Sequence, residues 1–418
     1  MMLESLRKDV VSAVDSMRDE LLALSHVVHG EPELALEEFK AAARLSEAVA
    51  GHDIAVTHEA FGLPTAYAAE FGKQGGPTVA ILSEYDALPG IGHSCGHNII
   101  ASSGYGAAIA LSKLGARLPG VVRYLGTPAE ERHGGKELMA RLGAFDRADA
   151  AMMIHPSNMN LMTMPCIAVS DVEAVYHGRS AHASAMPYRG LNALDAVVTA
   201  YQAIAQLRQH IRGSERIHGI ITEGGLAPNI VPERASCRFY VRAVDAHELA
   251  PLKVRVQKCF EAGALATGCT LEVHWGDTDY LDLKTNWPLA EVFERHAHGL
   301  GREFFPMKDI PQGFAGSTDM GNVSHRIPSI HPMLAVAPAG VIIHNPEFAR
   351  WAVSDRGDTA VLDGAKALAL TALELMSDAP LMNTVRADFE ATADLSKLAV
   401  AKTGEKPHRL HSGGCGCA

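Results

Sequence analysis

Apolar residues recur along this chain at two spacings, and the way the two alternate changes near residue 170. Leu and Val at helical spacing predict an amphipathic helix over 3–29, closed by His29-Gly30-Glu31-Pro32-Glu33-Leu34, and a second helix over about 35–50. Tyr67–Phe71 and Thr78–Leu82 are apolar runs of strand length, separated by the turn signal Gly72-Lys73-Gln74-Gly75-Gly76. A helix of small residues, Ile99–Leu114, comes next. It is followed by a strand at Val121–Leu125, a helix at about 135–143 and a strand at Ala150–Ile154. Strands alternating with helices imply a mainly parallel sheet with helices on both faces.

The pattern then changes. A strand at 171–177, a helix at 191–210, strands at 217–223 and 235–243, a helix at 247–266 and a strand at 269–275 read β-α-β-β-α-β. That order predicts a self-contained ferredoxin-like unit of about 110 residues. The earlier pattern returns with a helix at Leu289–Gly299, a strand at His331–Val336 and a long helix at about Arg356–Met376. The expected organisation is an α/β domain in two pieces, 1–170 and 286–403, with a small domain inserted at 171–285 and a polar, Gly-rich tail at 404–418. A chain of 418 residues suits two or three domains.

Composition narrows the function. The chain is 47% hydrophobic and only 6% aromatic, which suits an Ala/Val/Leu/Ile core. Its net charge is −11, from 37 basic and 48 acidic residues, with no basic cluster, so neither nucleic acid nor an anionic membrane is an expected partner. No apolar run reaches the roughly 20 residues needed to cross a bilayer, and Met1–Glu20 alternates charged and apolar residues unlike a signal peptide. Seven cysteines without framework spacing point to a reduced, cytoplasmic setting. Cys415-Gly416-Cys417 could bind an ion or form a redox pair, but no nearby spacing completes a four-ligand site and a solvated end is the simpler reading.

The candidate chemistry sits just past the apolar runs. Ser83–Asn98 gathers Asp86, His93, Cys95 and His97 in a Gly/Pro-rich loop behind a strand, with only Gly96 between Cys95 and His97. Glu130 and Glu131 follow another strand, His155 ends a third, Ser317-Thr318-Asp319 lies in a Gly-flanked loop, and His344 follows Val341-Ile342-Ile343. In a parallel sheet the carboxyl ends of strands share one edge, where ligands bind, so these residues can converge. A thiolate, three imidazoles and carboxylates form a mixed set suited to Zn²⁺ or Mn²⁺. Taken singly, each is more often a structural histidine, a solvated acid or a buried thiol. A Cys95–His97 nucleophile and base is the competing arrangement; it leaves the paired carboxylates without a role, so a metal centre is the better reading.

These stretches resemble the M20 metallopeptidases, nearest to the branch with aminoacylase-like, aminobenzoyl-glutamate-hydrolase-like and β-alanyl dipeptidase-like members. The matching segments are 32–34, Asp86–Asn98, Pro128–Glu131, His155-Pro156, Ser180–Ser184, Gly224-Gly225, Asn229–Pro232, Ser317–Asn322 and His344–Phe348. The resemblance implies a large zinc-peptidase-like α/β catalytic domain with an inserted ferredoxin-like α+β lid and dimerisation domain, and a homodimer. Cys95, His97, Glu131, His155 and His344 match ligands for two divalent ions per chain, Mn²⁺ or Zn²⁺ with Co²⁺ as a further candidate. Glu130 matches the general base. His182 and Asn229 match groups that contact substrate, His182 often in the neighbouring subunit's site, and Gly225, Ser317 and Thr318 are expected beside them. Asn98 stands where many hydrolases of this branch carry Asp, which points to the aminobenzoyl-glutamate and dipeptidase-like members. The implied activity is cleavage of the amide bond of an N-acyl amino acid, an aminoacyl conjugate or a dipeptide by a metal-activated water. A hydrolytic deaminase of an aromatic amine could use the same centre. An inactive metal-binding scaffold would be expected to lose the base or a ligand, and this chain keeps all six residues.

Overall fold

A computed structural model describes residues 2–310 and 315–401. The first predicted helix is in fact two, α1 (Met2–Ser16) and α2 (Arg18–Gly30), because Met17 leaves helical geometry (φ −98°, ψ 9°) while staying buried. The next helix, α3 (Phe39–Ala50), starts later than the apolar spacing suggests, since Leu36 has a positive φ of 64° and Glu38 a non-helical ψ of 44°. Strands β1 (Val56–His58), β2 (Tyr67–Gly72) and β3 (Thr78–Ser83) follow, then helix α4 (His97–Ser112), strand β4 (Val121–Gly126), helix α5 (Gly135–Arg141), and the short strands β5 (Ala150–Met152) and β6 (His155–Ser157).

The inserted unit, 166–282, contains β7 (Ala168–His177), α6 (Ala193–Leu207), β8 (Arg216–Glu223), β9 (Arg234–Ala243), α7 (Ala246–Thr267) and β10 (Thr270–Trp275). Its sheet has the order β10-β7-β9-β8 with every pairing antiparallel, the arrangement expected of β-α-β-β-α-β. Tyr176, Val197, Phe239, Val256 and Phe260 form part of a core of its own. Both helices start at side-chain caps: Asn192 accepts the N–H groups of Leu194 and Asp195, and Asp245 those of His247 and Glu248. Strand β8 lies at the sheet edge and is mostly exposed, Ile220 to 65%.

The larger unit resumes with α8 (Trp287–Gly299), α9 (Met320–Ser324), β11 (Ser329–Ile330), β12 (Met333–Ala335), α10 (Pro346–Trp351), α11 (Asp355–Ser377), α12 (Ala379–Glu390) and α13 (Ala393–Ala401). Its main sheet runs β1-β2-β4-β3-β5-β11. Only the pairings β4–β3, β3–β5 and β5–β11 are parallel; β1–β2 and β2–β4 are antiparallel, so the sheet is mixed rather than mainly parallel. The predicted strand at 150–154 ends early, as β5, with a break before β6, and the one at 331–336 shortens to β12, with a second break separating it from β11. β5 pairs with β11 in the main sheet, while β6 and β12 form a separate two-stranded ladder. Pro332, which has no N–H, lies at the second break, and its carbonyl accepts the His155 N–H. β3 and β4 are buried almost throughout, and the small residues of α4 let that helix lie close on them. A Cβ on Gly104 would stand 2.3 Å from Ser83 Oγ. No helix among the described residues is long and apolar enough to cross a membrane. The tail at 404–418, with Cys415 and Cys417, lies outside the described residues.

Candidate metal centre

Three of the four segments reach the site from strand ends. Behind β3, the chain keeps Glu84, Asp86, His93 and Cys95 buried. Gly96 then takes φ 78°, and a Cβ there would meet Pro156 Cγ at 2.5 Å, so only glycine fits between Cys95 and His97. His97 opens α4. Behind β4, Ala129 has φ 63°, a left-handed conformation that costs a non-glycine residue about 1–2 kcal/mol. Its N–H is held by Glu38 Oε1 at 2.8 Å, while Glu38 Oε2 accepts the Thr65 hydroxyl. His155 opens β6. His344 arrives differently. It sits in a turn with φ 62°, tied by its N–H to the Ser94 carbonyl at 2.9 Å.

The five expected ligands meet. Cys95 Sγ lies 3.4 Å from His155 Nε2 and 3.5 Å from His344 Nε2. His97 Nε2 lies 3.7 Å from Glu131 Oε1 and 4.0 Å from Glu130 Oε2, and His344 Nε2 lies 3.6 Å from Glu131 Oε2. Three overlapping sets have ligand atoms within 4.8 Å of one another: Cys95/His97/His155, Cys95/Glu131/His344 and Glu84/His97/Glu130.

Surrounding groups aim the donors inward. His155 Nδ1 donates to the Pro156 carbonyl at 2.7 Å, and His97 Nδ1 donates to Asp86 Oδ1 at 3.1 Å, which in the neutral rings leaves each Nε2 lone pair facing the cluster. Asp86 Oδ2 also accepts the Glu131 N–H at 2.8 Å, so one carboxylate orients two candidate ligands. Glu84 Oε1, His97 Nε2 and Glu131 Oε1 are buried without a hydrogen-bond partner. Burial, then Glu84 and Glu131, push the Glu130 carboxyl well above the usual range; burial raises Glu131 to about 7. Burial and Glu131 likewise raise the Cys95 thiol, which argues against a free thiolate nucleophile. His97 moves up despite burial, chiefly through Glu84. Inward lone pairs, orphaned acceptors and crowded negative charge are relieved together by divalent cations. The residues fit a metal centre.

The predicted substrate residues are less enclosed. In the inserted unit His182 is exposed; its Nδ1 accepts the N–H of Ala185 at 3.2 Å and of Ser184 at 3.4 Å. The proton of the neutral ring is therefore on Nε2, which can donate. Asn229 is exposed close by, with its carbonyl accepting the Ala183 N–H at 3.0 Å, and Gly225 turns at φ 104°. In the larger unit Ser317 is half-buried, and the buried Thr318 hydroxyl accepts the Met320 N–H. Sequence reasoning passed over Glu38, Glu84 and Lys136 as site residues and gave Asp86 no role of its own. For Asp86 a signal existed, its place in the same loop as Cys95; Glu38 and Lys136 look like ordinary surface charges until the fold buries them.

The model of peptidase family M20/M25/M40 matches residues 80–374. The chain is 39% identical to the Xaa-Arg dipeptidase of Mus musculus over 411 residues, covering 95% of each. It is 27% identical to a component chain of the p-aminobenzoyl-glutamate hydrolase of Escherichia coli, covering 94% of this chain and 96% of that one. A solved structure from Bacillus subtilis, described as a dinuclear metal binding peptidase of the M20 family, superposes with a TM-score of 0.65 at 20% identity over 87% of this chain and 99% of that one. With the family model matched over most of its length, and relatives aligned from end to end, the chain belongs to peptidase family M20/M25/M40 and is a metal-dependent hydrolase of amide bonds.

Proposed function

We propose that the chain is a dipeptidase, with dipeptides ending in arginine as its first candidate substrates. The convergence of five donors around Glu130, with Cys95, His97 and His155 buried, carries the reaction. The 39% identity to the mouse Xaa-Arg dipeptidase supports the substrate. The Escherichia coli relative supports an aroyl or aminoacyl glutamate as the second candidate.

Cys95, His97, Glu131, His155 and His344 would hold two divalent ions per chain, Zn²⁺ or Mn²⁺, with Co²⁺ able to replace them. When bound, these ions supply Lewis acidity, polarising the substrate carbonyl and making a water acidic enough to ionise near neutral pH. Glu130 takes the proton from the attacking water and returns it to the leaving amine, so that amide and water become acid and amine. His182 donates Nε2–H to the oxyanion that forms at the carbonyl. Asn229, Gly225, Ser317 and Thr318 contribute to holding the substrate. The exposed edge strand β8 supports two-fold pairing of the inserted unit with a second copy, with His182 serving the partner's site.

The test is a panel of Xaa-Arg and Xaa-Glu dipeptides, p-aminobenzoyl-glutamate and N-acyl amino acids, incubated with metal-loaded protein and read by mass spectrometry. Release of arginine is the expected product. Ammonia without a carboxylic acid would make the chain a deaminase, and no product from any amide would leave it a metal-binding scaffold.

A further inference from the structure

One set of charges beside the cluster has no role in the mechanism above. Glu84, Lys136 and Asp319 are each completely buried, and come from three separate segments: behind β3, in the first turn of α5, and just ahead of α9. Lys136 Nζ donates to Glu84 Oε2 at 2.5 Å and to Asp319 Oδ1 at 2.7 Å. Asp319 Oδ2 accepts the Lys136 backbone N–H at 2.8 Å, which locks that pair. Two carboxylates against one ammonium leave a surplus negative charge in the interior, a costly arrangement unless another cation shares it.

The surplus has a direction. Glu84 Oε2 is taken up by Lys136, whereas Glu84 Oε1 has no hydrogen-bond partner and faces His97 Nε2 at 3.3 Å. In the neutral ring, the form that binds a metal ion, that nitrogen is itself a lone pair, because the one ring proton is on Nδ1 and is donated to Asp86. Two acceptors turned toward each other at this distance repel unless both contact a positive charge. A Glu130 oxygen completes the group, within 4.8 Å of both.

Resting on the metal-centre reading, we propose that Glu84 Oε1 is a further oxygen donor to the divalent ion that His97 binds, with Lys136 and Asp319 as positioning residues that hold it there. The two sides of the centre then differ in chemistry. Cys95, His155 and His344 offer sulfur and nitrogen, while Glu84 adds an oxygen beside His97, a donor that suits Mn²⁺ better than sulfur does.

The experiment titrates full-length protein, stripped of metal, with Mn²⁺ against a chelator of known affinity, and follows bound Mn²⁺ by electron paramagnetic resonance. Glu84→Gln keeps the shape of the side chain and an acceptor for Lys136. It should lower Mn²⁺ affinity at one site by about 10–100-fold while the other site still fills. Glu84→Asp keeps the charge but withdraws the oxygen by one methylene, and should weaken the same site. If Glu84→Asp binds Mn²⁺ as the parent does, the carboxylate acts only through its field and the proposal falls; it falls equally if Glu84→Gln matches the parent. Failure of the parent protein to bind metal at all would instead overturn the metal centre itself.

Discussion

The cluster behind β3 and β4 and the His182 loop of the inserted unit hold their side chains in opposite ways. In the cluster, other buried polar groups fix nearly every functional atom: Asp86 orients His97 and Glu131, Pro156 orients His155, and Glu38 pins Ala129 one residue before Glu130. Positive φ values at Gly96, Ala129 and His344 are sustained there by the packing around them. His182 is oriented by a single local turn, through the amides of Ser184 and Ala185, and stays exposed. The difference matches the tasks proposed for the two regions. Concentrating negative charge to bind cations needs a water-poor interior, whereas a hydrogen-bond donor to substrate needs only a defined proton and access.

Four experiments probe this contrast, beginning with the largest effect. Glu130→Gln should reduce kcat by about 10²–10⁴-fold with metal content near normal, whereas Glu131→Gln should lose metal. Equal metal loss in both variants, measured by elemental analysis, would erase the proposed division between base and ligand.

His182→Ala should reduce kcat by about 10²–10³-fold, as removal of an oxyanion donor does, without changing metal content or Tm, because the side chain is exposed. Mixing it with Glu130→Gln should restore activity if His182 serves a partner's site. Absence of rescue, with subunit exchange verified, would return His182 to its own chain.

The third experiment uses Glu38, whose carboxyl burial, followed by Asp86, pushes up to about 7. The folded state then holds a proton that the unfolded state releases near pH 4.5, so this group favours folding at acid pH and loses that contribution as pH rises to 7. Glu38→Gln should flatten the decline. In metal-free protein the stability of parent relative to variant should fall by up to roughly 3 kcal/mol between pH 4.5 and 8. Denaturant midpoints at the two ends that move in parallel would refute a buried, neutral Glu38.

The smallest effect is expected from Gly96→Ala. The positive φ alone should cost about 1–2 kcal/mol, with the contact to Pro156 adding to it, and metal affinity should fall because Cys95 and His97 move apart. An unchanged Tm would mean that this turn is softer than its φ of 78° suggests.

Much of this was legible in the order of residues. The inserted β-α-β-β-α-β unit could be read from alternating spacing, because its elements form one continuous stretch of chain and pair within it, even where β7 meets β9 and β10. Cys95, His97, Glu130, Glu131 and His155 were identifiable because each follows an apolar run, and parallel strands bring such ends to one edge. The resemblance carried by the motifs supplied their expected roles. His344 was matched by motif, yet its position depends on a turn anchored to Ser94 rather than on a strand end.

By itself, then, the sequence determined the kinds of element, the inserted unit and the candidate donors, since periodicity and strand-end placement are local properties. Only the tertiary structure decided which charges join the donors. Glu38 reaches Ala129 across 91 positions and Lys136 reaches Asp319 across 183, and nothing near either residue in the chain marks its partner. Burial made those pairings necessary: a carboxylate or ammonium removed from water must find an opposite charge or a hydrogen bond, and the fold sets which one lies within reach.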